Sequence, residues 1–191
     1  MSDTNPLPLL DHQLAADELA WIRAVYADFD AHRAASPATP PKESLRTVLG
    51  RPEHQLPTPM DLTGSGPWRG GRNRHGRLVT AVFLPTVELH RHERSRTDQF
   101  TFYVAGEAAA FSLGSGGRPE LTSVGGGDHF HNAPNAPHAF LPKPGVPVPQ
   151  DWEIAFIAIT PRNLREDTQS VSDDVRAAYR QVTGSEAPVG V

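Results

Sequence analysis

The stretch VELHRHERSRTDQFTFYVAG, Val87 to Gly106, decides the fold. His90 and His92 are one residue apart, and on an extended strand that spacing sends both imidazoles from one face, about 7 Å apart along the chain. Two neutral imidazoles so placed can close on one metal ion. The charged run Glu93 to Asp98 reads as a loop, and QFTFYVA reads as a second strand on which Gln99, Thr101 and Tyr103 share a face. Gly106 ends it. If the two strands pair, Gln99 or Tyr103 comes back over the histidines. A further strong ligand is then needed from elsewhere, and His138, in GGGDHFHNAPNAPHAF, is the candidate.

Outward from this stretch the pattern stays β-rich. From Leu78 the chain offers RLVTAVFLP, VELHRH, DQFTFYVAG, EAAAFSLG, a hairpin-like GSGGRP, ELTSVGGGD, HFHN, HAFL and WEIAFIAIT. Short strands broken by Gly and Pro fit a small barrel or sandwich, in which ligands from distant strands can converge. The 19 prolines and 16 glycines of the 191 residues agree with many turns. PKPGVPVPQ, residues 142–150, is a stiff loop expected to cross the surface near the barrel mouth.

Helical signals lie at the two ends. Asp11 to about Arg33 places Leu14, Ile22, Val25 and Phe29 close to one stripe, with Asp11 as the expected N-cap. SPATPP breaks that helix, and KESLRTVLG follows as a short second one. SDDVRAAYRQVTG reads as a last helix, capped by Ser172, with Val175, Tyr179 and Val182 on its buried face and Gly184 as its stop. Residues 51–77 lack periodicity. Their Arg69, Arg72, Arg74 and His75 fit either a solvated loop or the lining of a pocket for an anion. The expected division is an arm, helices and loop over 1–77, a barrel over 78–161, and a C-terminal helix and tail over 162–191, all one structural domain.

Composition removes several classes. There are no cysteines, so any metal must be held by His and oxygen ligands. A formal net charge of −4 argues against a nucleic-acid partner. No apolar run approaches the ~20 residues of a membrane helix, and the N-terminus lacks a basic region followed by an apolar core, so a soluble cytoplasmic protein is expected. Neither a phosphate-binding loop nor the GxSxG or HExxH motif is present.

HxH, a polar residue, a strand and Gly, then GD and a later PH, resembles the two-motif signature of the cupin superfamily across roughly Leu78 to Thr160. The resemblance implies a mainly β fold, a double-stranded β-helix (cupin or jelly-roll) barrel with N-terminal helices and a C-terminal helix outside. It implies that His90, His92 and His138 are metal ligands. Gln99 falls where the family's Glu ligand usually sits, as a weak fourth ligand or as a group that orients the shell. The implied function is a mononuclear metal enzyme acting on a small organic molecule, with a non-haem Fe(II) dioxygenase favoured by similarity to three-His cupins; Zn, Mn or Ni are the other metals. Tyr103 is the candidate proton or hydrogen-bond donor, against a plain core aromatic, and Glu88 the candidate general base, against a salt bridge at the strand start. His129 and His131 are assigned to the pocket or to the surroundings of the ligands. The alternatives are a redox-neutral cupin lyase, isomerase or cyclase, and a non-catalytic small-ligand barrel. Cupin sulfonium-compound lyases share the helices and barrel but carry Glu where this chain has Gln99. A homodimer paired through the barrel or the N-terminal arm is also expected, with no membrane partner.

Overall fold

The computed structural model describes residues 13–85, 87–161 and 167–187. Helices α1 (Ala16–Ala35) and α2 (Pro41–Leu49) come first. Strands β1 (Trp68–Arg72), β2 (Leu78–Leu84), β3 (Val87–His92), β4 (Thr97–Val104), β5 (Ala108–Leu113), β6 (Pro119–Val124), β7 (His129–Asn132), β8 (His138–Pro142), β9 (Ile154–Thr160) and β10 (Thr168–Gln169) follow, and helix α3 (Asp173–Thr183) closes the order. The strands form two antiparallel sheets, β1-β2-β9-β4-β7 and β10-β3-β8-β5-β6. From β2 to β5 the chain crosses between sheets at each step, and it crosses again at β6 to β7, β7 to β8 and β8 to β9. This is the order of a jelly roll, or double-stranded β-helix. The expected barrel is not closed, because among the described residues no ladder joins the two sheets.

Alternation along the strands sorts side chains into layers. Val79, Ala81 and Phe83 of β2 face outward and meet Ile22, Val25 and Phe29 of α1 and Leu45, Val48 and Leu49 of α2. Val82 and Leu84 face inward, with Phe140 and Phe156 between the sheets. On the far side Phe111 packs edge-on against Tyr179 of α3, ring centres 5.2 Å apart. Strand β9 is buried on both faces throughout, which explains its unbroken apolar sequence.

Several expectations are corrected by these elements. Residues 13–15 are not helical and α1 begins at Ala16; Ala15 holds the N-cap position expected of Asp11, and Glu18 accepts a hydrogen bond from its backbone N–H at 2.6 Å, while Asp11 lies outside the described residues along with the 1–10 arm. The 51–77 stretch holds a 3-10 turn at Pro52–His54 and the edge strand β1, whose alternation is hidden by its two glycines. The proline loop packs at Gly106, where a Cβ would touch Trp152 and Pro149 at 3.0–3.1 Å, and it contributes none of the residues lining the inter-sheet pocket. The last helix matches its reading in position: Ser172 is the N-cap residue, though its side chain makes no capping hydrogen bond, and Gly184 ends the helix at φ 71°.

Strand β4 carries the correction that matters most for the site. Its register against β9 shifts between Thr101 and Tyr103, so one extra residue sits opposite the partner strand. A one-residue slip reverses the face of every later side chain. Gln99 lies before the shift and lines the inter-sheet pocket, whereas Tyr103 joins Phe100 and Phe102 under the helices and Val104 turns inward.

Candidate metal centre

Strand register assembles the histidines. On β3 and β8, His90 stands directly opposite His138, and the imidazole centres are 4.3 Å apart. His92, two residues along β3, shares the same face, with centres 4.8 Å from His90 and 5.2 Å from His138. One ligand atom from each of the three lies within 4.8 Å of the others. His92 is 1% exposed and His138 3%.

Hydrogen bonding settles which nitrogens face inward. His90 Nδ1 lies 2.6 Å from the carbonyl of Glu88, and His138 Nδ1 lies 3.0 Å from that of Ala136. A carbonyl only accepts, so both Nδ1 atoms carry the proton and both Nε2 atoms present a lone pair. His90 Nε2 sits 3.2 Å from His92 Nε2, while His138 Nε2 and His92 Nδ1 are buried without a partner. Two ligands about 2.1 Å from one ion at tetrahedral or octahedral angles are ~3.0–3.4 Å apart, so the spacing and the orphaned lone pair both fit a cation.

All three rings are held neutral. Burial pushes His92 down to about 4, with a further push from His90. Burial lowers His90 too, against the opposing carbonyl bond and charge of Glu88. His138 falls well below the ordinary histidine value through burial and its two neighbouring histidines. Neutral imidazole is the metal-binding form.

A pocket of about 390 Å³ between the sheets is lined by His90 and His92 of this trio. Gln99, 2% exposed, lines it, and its Oε1 accepts from Asn132 Nδ2 at 3.0 Å. Asn132 was not singled out from the sequence, although strict alternation through HFHN puts it on the inner face opposite Thr97. Asp167 was missed as well: its carboxylate accepts from the Ser95 N–H at 2.7 Å and the Arg94 N–H at 3.1 Å, fixing the loop after His92. No local signal marks it, because the contact spans 72 residues.

The remaining candidates separate. Glu88 lines the pocket beside His90 and makes no ion pair among the described residues. Tyr103 leaves the site: its hydroxyl donates to Glu153, its ring lies over Phe29, and burial followed by the Glu153 bond raises its pKa far above the ordinary tyrosine value. His129 and His131 stand on the outer face at 2.9 and 3.6 Å from Asp98, so they neither line the pocket nor surround the ligands. Among the aromatic residues of the two sheets, Phe156 lines the pocket, whereas Phe111, Phe140 and Trp152 fill cores. A second group of possible ligands, Asp28, Glu53 and His54, already has the Arg51 guanidinium at 2.7 Å from Asp28.

The strand order and the convergent histidines define the class: a double-stranded β-helix with a three-histidine candidate metal site. Its structural neighbours are cupin-fold proteins. They include an oxalate decarboxylase of Bacillus subtilis (17% identity, 56% of this chain and 27% of that chain, TM-score 0.39), an oxalate oxidase (20%, 48% and 44%, 0.38) and a cupin-like protein from Thermotoga maritima (17%, 58% and 75%, 0.37). The chain thus spans less than half the length of either oxalate enzyme. No family model matches the sequence. No curated protein matches it either. Likenesses of this size carry no argument about activity, and the fold assignment stands on this chain's own strand order. No helix among the described residues is long and apolar enough to cross a membrane.

Proposed function

We propose that the protein is a mononuclear metal-dependent enzyme of the cupin type acting on a small organic molecule, and more finely a non-haem Fe(II) dioxygenase. The observation that carries this reading is the convergence of His90, His92 and His138 with two Nδ1–H groups tied to backbone carbonyls. A divalent ion in such a set supplies Lewis acidity and, if it is iron, the redox capacity for O₂ chemistry. The protein's own part is electrostatic and positional. Three uncharged ligands with no carboxylate among them leave the centre positively charged, which favours an anionic or chelating substrate. Gln99, steadied by Asn132, stands at the centre's edge as a weak ligand or a hydrogen-bonding group for substrate. Leu78, Val82, Leu84, Val87 and Phe156 give the pocket an apolar wall.

Glu88 favours a second reading, a redox-neutral lyase, isomerase or cyclase. A carboxylate lining the pocket with no ion pair among the described residues is suited to take a proton from bound substrate. In either reading the described residues before 78 and after 161 serve as cover for one structural unit, a view supported by the clusters that join α1 and α2 to β2, β4 and β9 and α3 to β3, β5 and β8. A soluble cytoplasmic homodimer without nucleic-acid or membrane partners belongs to the same proposal.

The test is metal analysis of protein purified without chelators, followed by oxygen consumption of the Fe(II)-reconstituted form against diketones, thiols and aromatic diols. Iron with substrate-dependent uptake is the expected result. Stoichiometric zinc or manganese without uptake would sink the dioxygenase and leave the Glu88 reading.

A further inference from the structure

The arginines of residues 69–77 differ in one respect. Arg72 donates to the Gly76 carbonyl at 2.9 Å, Arg74 pairs with Asp17 at 3.0 Å and Arg77 pairs with Glu18 at 2.8 Å. His75 also reaches Asp17. Arg69 alone of the four has no side-chain partner among the described residues, and it alone lines the histidine pocket. The preceding Trp68 is fully buried under the helices, edge-on to Phe83 at 4.6 Å with Arg46 over its ring at 5.0 Å. The register against β2 shifts just after it, and Arg69 stands exposed at that irregularity, on the rim of the pocket between the sheets. Two residues on, Met60 and Leu56 pack so closely on Gly71 that a Cβ there would collide with them.

The pocket therefore has a cation at its edge, an apolar middle and the histidines within. Its charged lining residues are Arg69 and Glu88, and Glu88 stands two residues before His90 on β3. A carboxylate at the Glu88 side meets repulsion, and one beside Arg69 meets an unpaired guanidinium. Leu78, Val82, Leu84, Val87 and Phe156 lie along the same pocket, and a hydrocarbon chain buries their surface where a compact dianion such as oxalate leaves it bare.

We propose that the substrate is a short, mainly aliphatic monoanion, with its carboxylate held by Arg69 and its reacting end at His90, His92 and His138. This rests on the metal-enzyme reading above. The probes are adipic monohydroxamate, which carries a metal-binding hydroxamate at one end and a carboxylate at the other, and its methyl ester, titrated calorimetrically into the Co(II)-loaded protein. The free acid is expected to bind about tenfold more tightly than the ester. Arg69→Gln should bring the two within about twofold while leaving cobalt content and ester affinity unchanged, and Arg69→Lys should restore part of the preference. Equal binding of acid and ester to fully loaded wild-type protein overturns the proposal and leaves the metal site standing. Failure of the wild-type protein to retain cobalt overturns the metal-enzyme reading and the proposal together.

Discussion

Two His-x-His pairs sit in this molecule, and they lead different lives. His90 and His92 on β3 face inward toward His138, and one buried nitrogen each of His92 and His138 lacks a partner. His129 and His131 on β7 face outward, each near 40% side-chain exposure, and share the buried carboxylate of Asp98. His129 also stacks on Phe100, ring centres 4.2 Å apart. Spacing and strand context are the same. The face decides: inside, an imidazole lacks water and needs a cation, whereas outside an acidic neighbour and solvent already satisfy it.

The largest test of this contrast is metal retention. His92→Ala and His138→Ala should each lower affinity by at least about 100-fold, measured as metal content after desalting, while His129→Ala and His131→Ala should stay within about twofold. Equal loss from all four would erase the distinction. Next in size, a divalent ion at about 100 times its dissociation constant should stabilise the wild-type protein by about 2.7 kcal/mol in thermal unfolding, and His92→Ala should remove that gain.

The outer pair is probed through its carboxylate. Asp98→Ala should cost about 1 kcal/mol, since it removes the bonds of His129 and Arg96 to a buried carboxylate, yet leave metal content unchanged. Metal loss in that variant would couple the two faces. The smallest effect is in acid. Burial pushes the Asp98 carboxyl up, but the bonds to His129 and Arg96 outweigh it and hold the group below its ordinary 3.8. The unfolded chain therefore takes up this proton first, so Asp98 contributes stability above about pH 3.8 that is lost as pH falls through the lower folded value. Asp98→Asn should flatten that part of a pH-stability curve; an unchanged slope would remove Asp98 from the account.

Much of this was legible locally. His90-x-His92 needs only strand alternation to share a face, and the apolar run of β9 needs only burial on both sides. The caps of α3 are written within a dozen residues. Gln99 was placed on the site side for the same reason, since no irregularity separates it from the start of β4. Tyr103 failed because the register shift after Thr101 leaves no mark in QFTFYVA. Strand β1 was hidden by glycines that carry no side chain to alternate, and Arg69 went with it into a cluster whose other members are partnered elsewhere.

The sequence by itself determined a glycine- and proline-punctuated β protein, the spacing of its histidine pair and the absence of any thiolate ligand. These follow from composition and from short-range geometry. Only the tertiary structure decided which pair faces inward, that His90 meets His138 across two strands, that Tyr103 turns away and that Arg69 is left unpaired over the pocket. Each depends on register between segments far apart in the chain, and one inserted residue is enough to reverse a face.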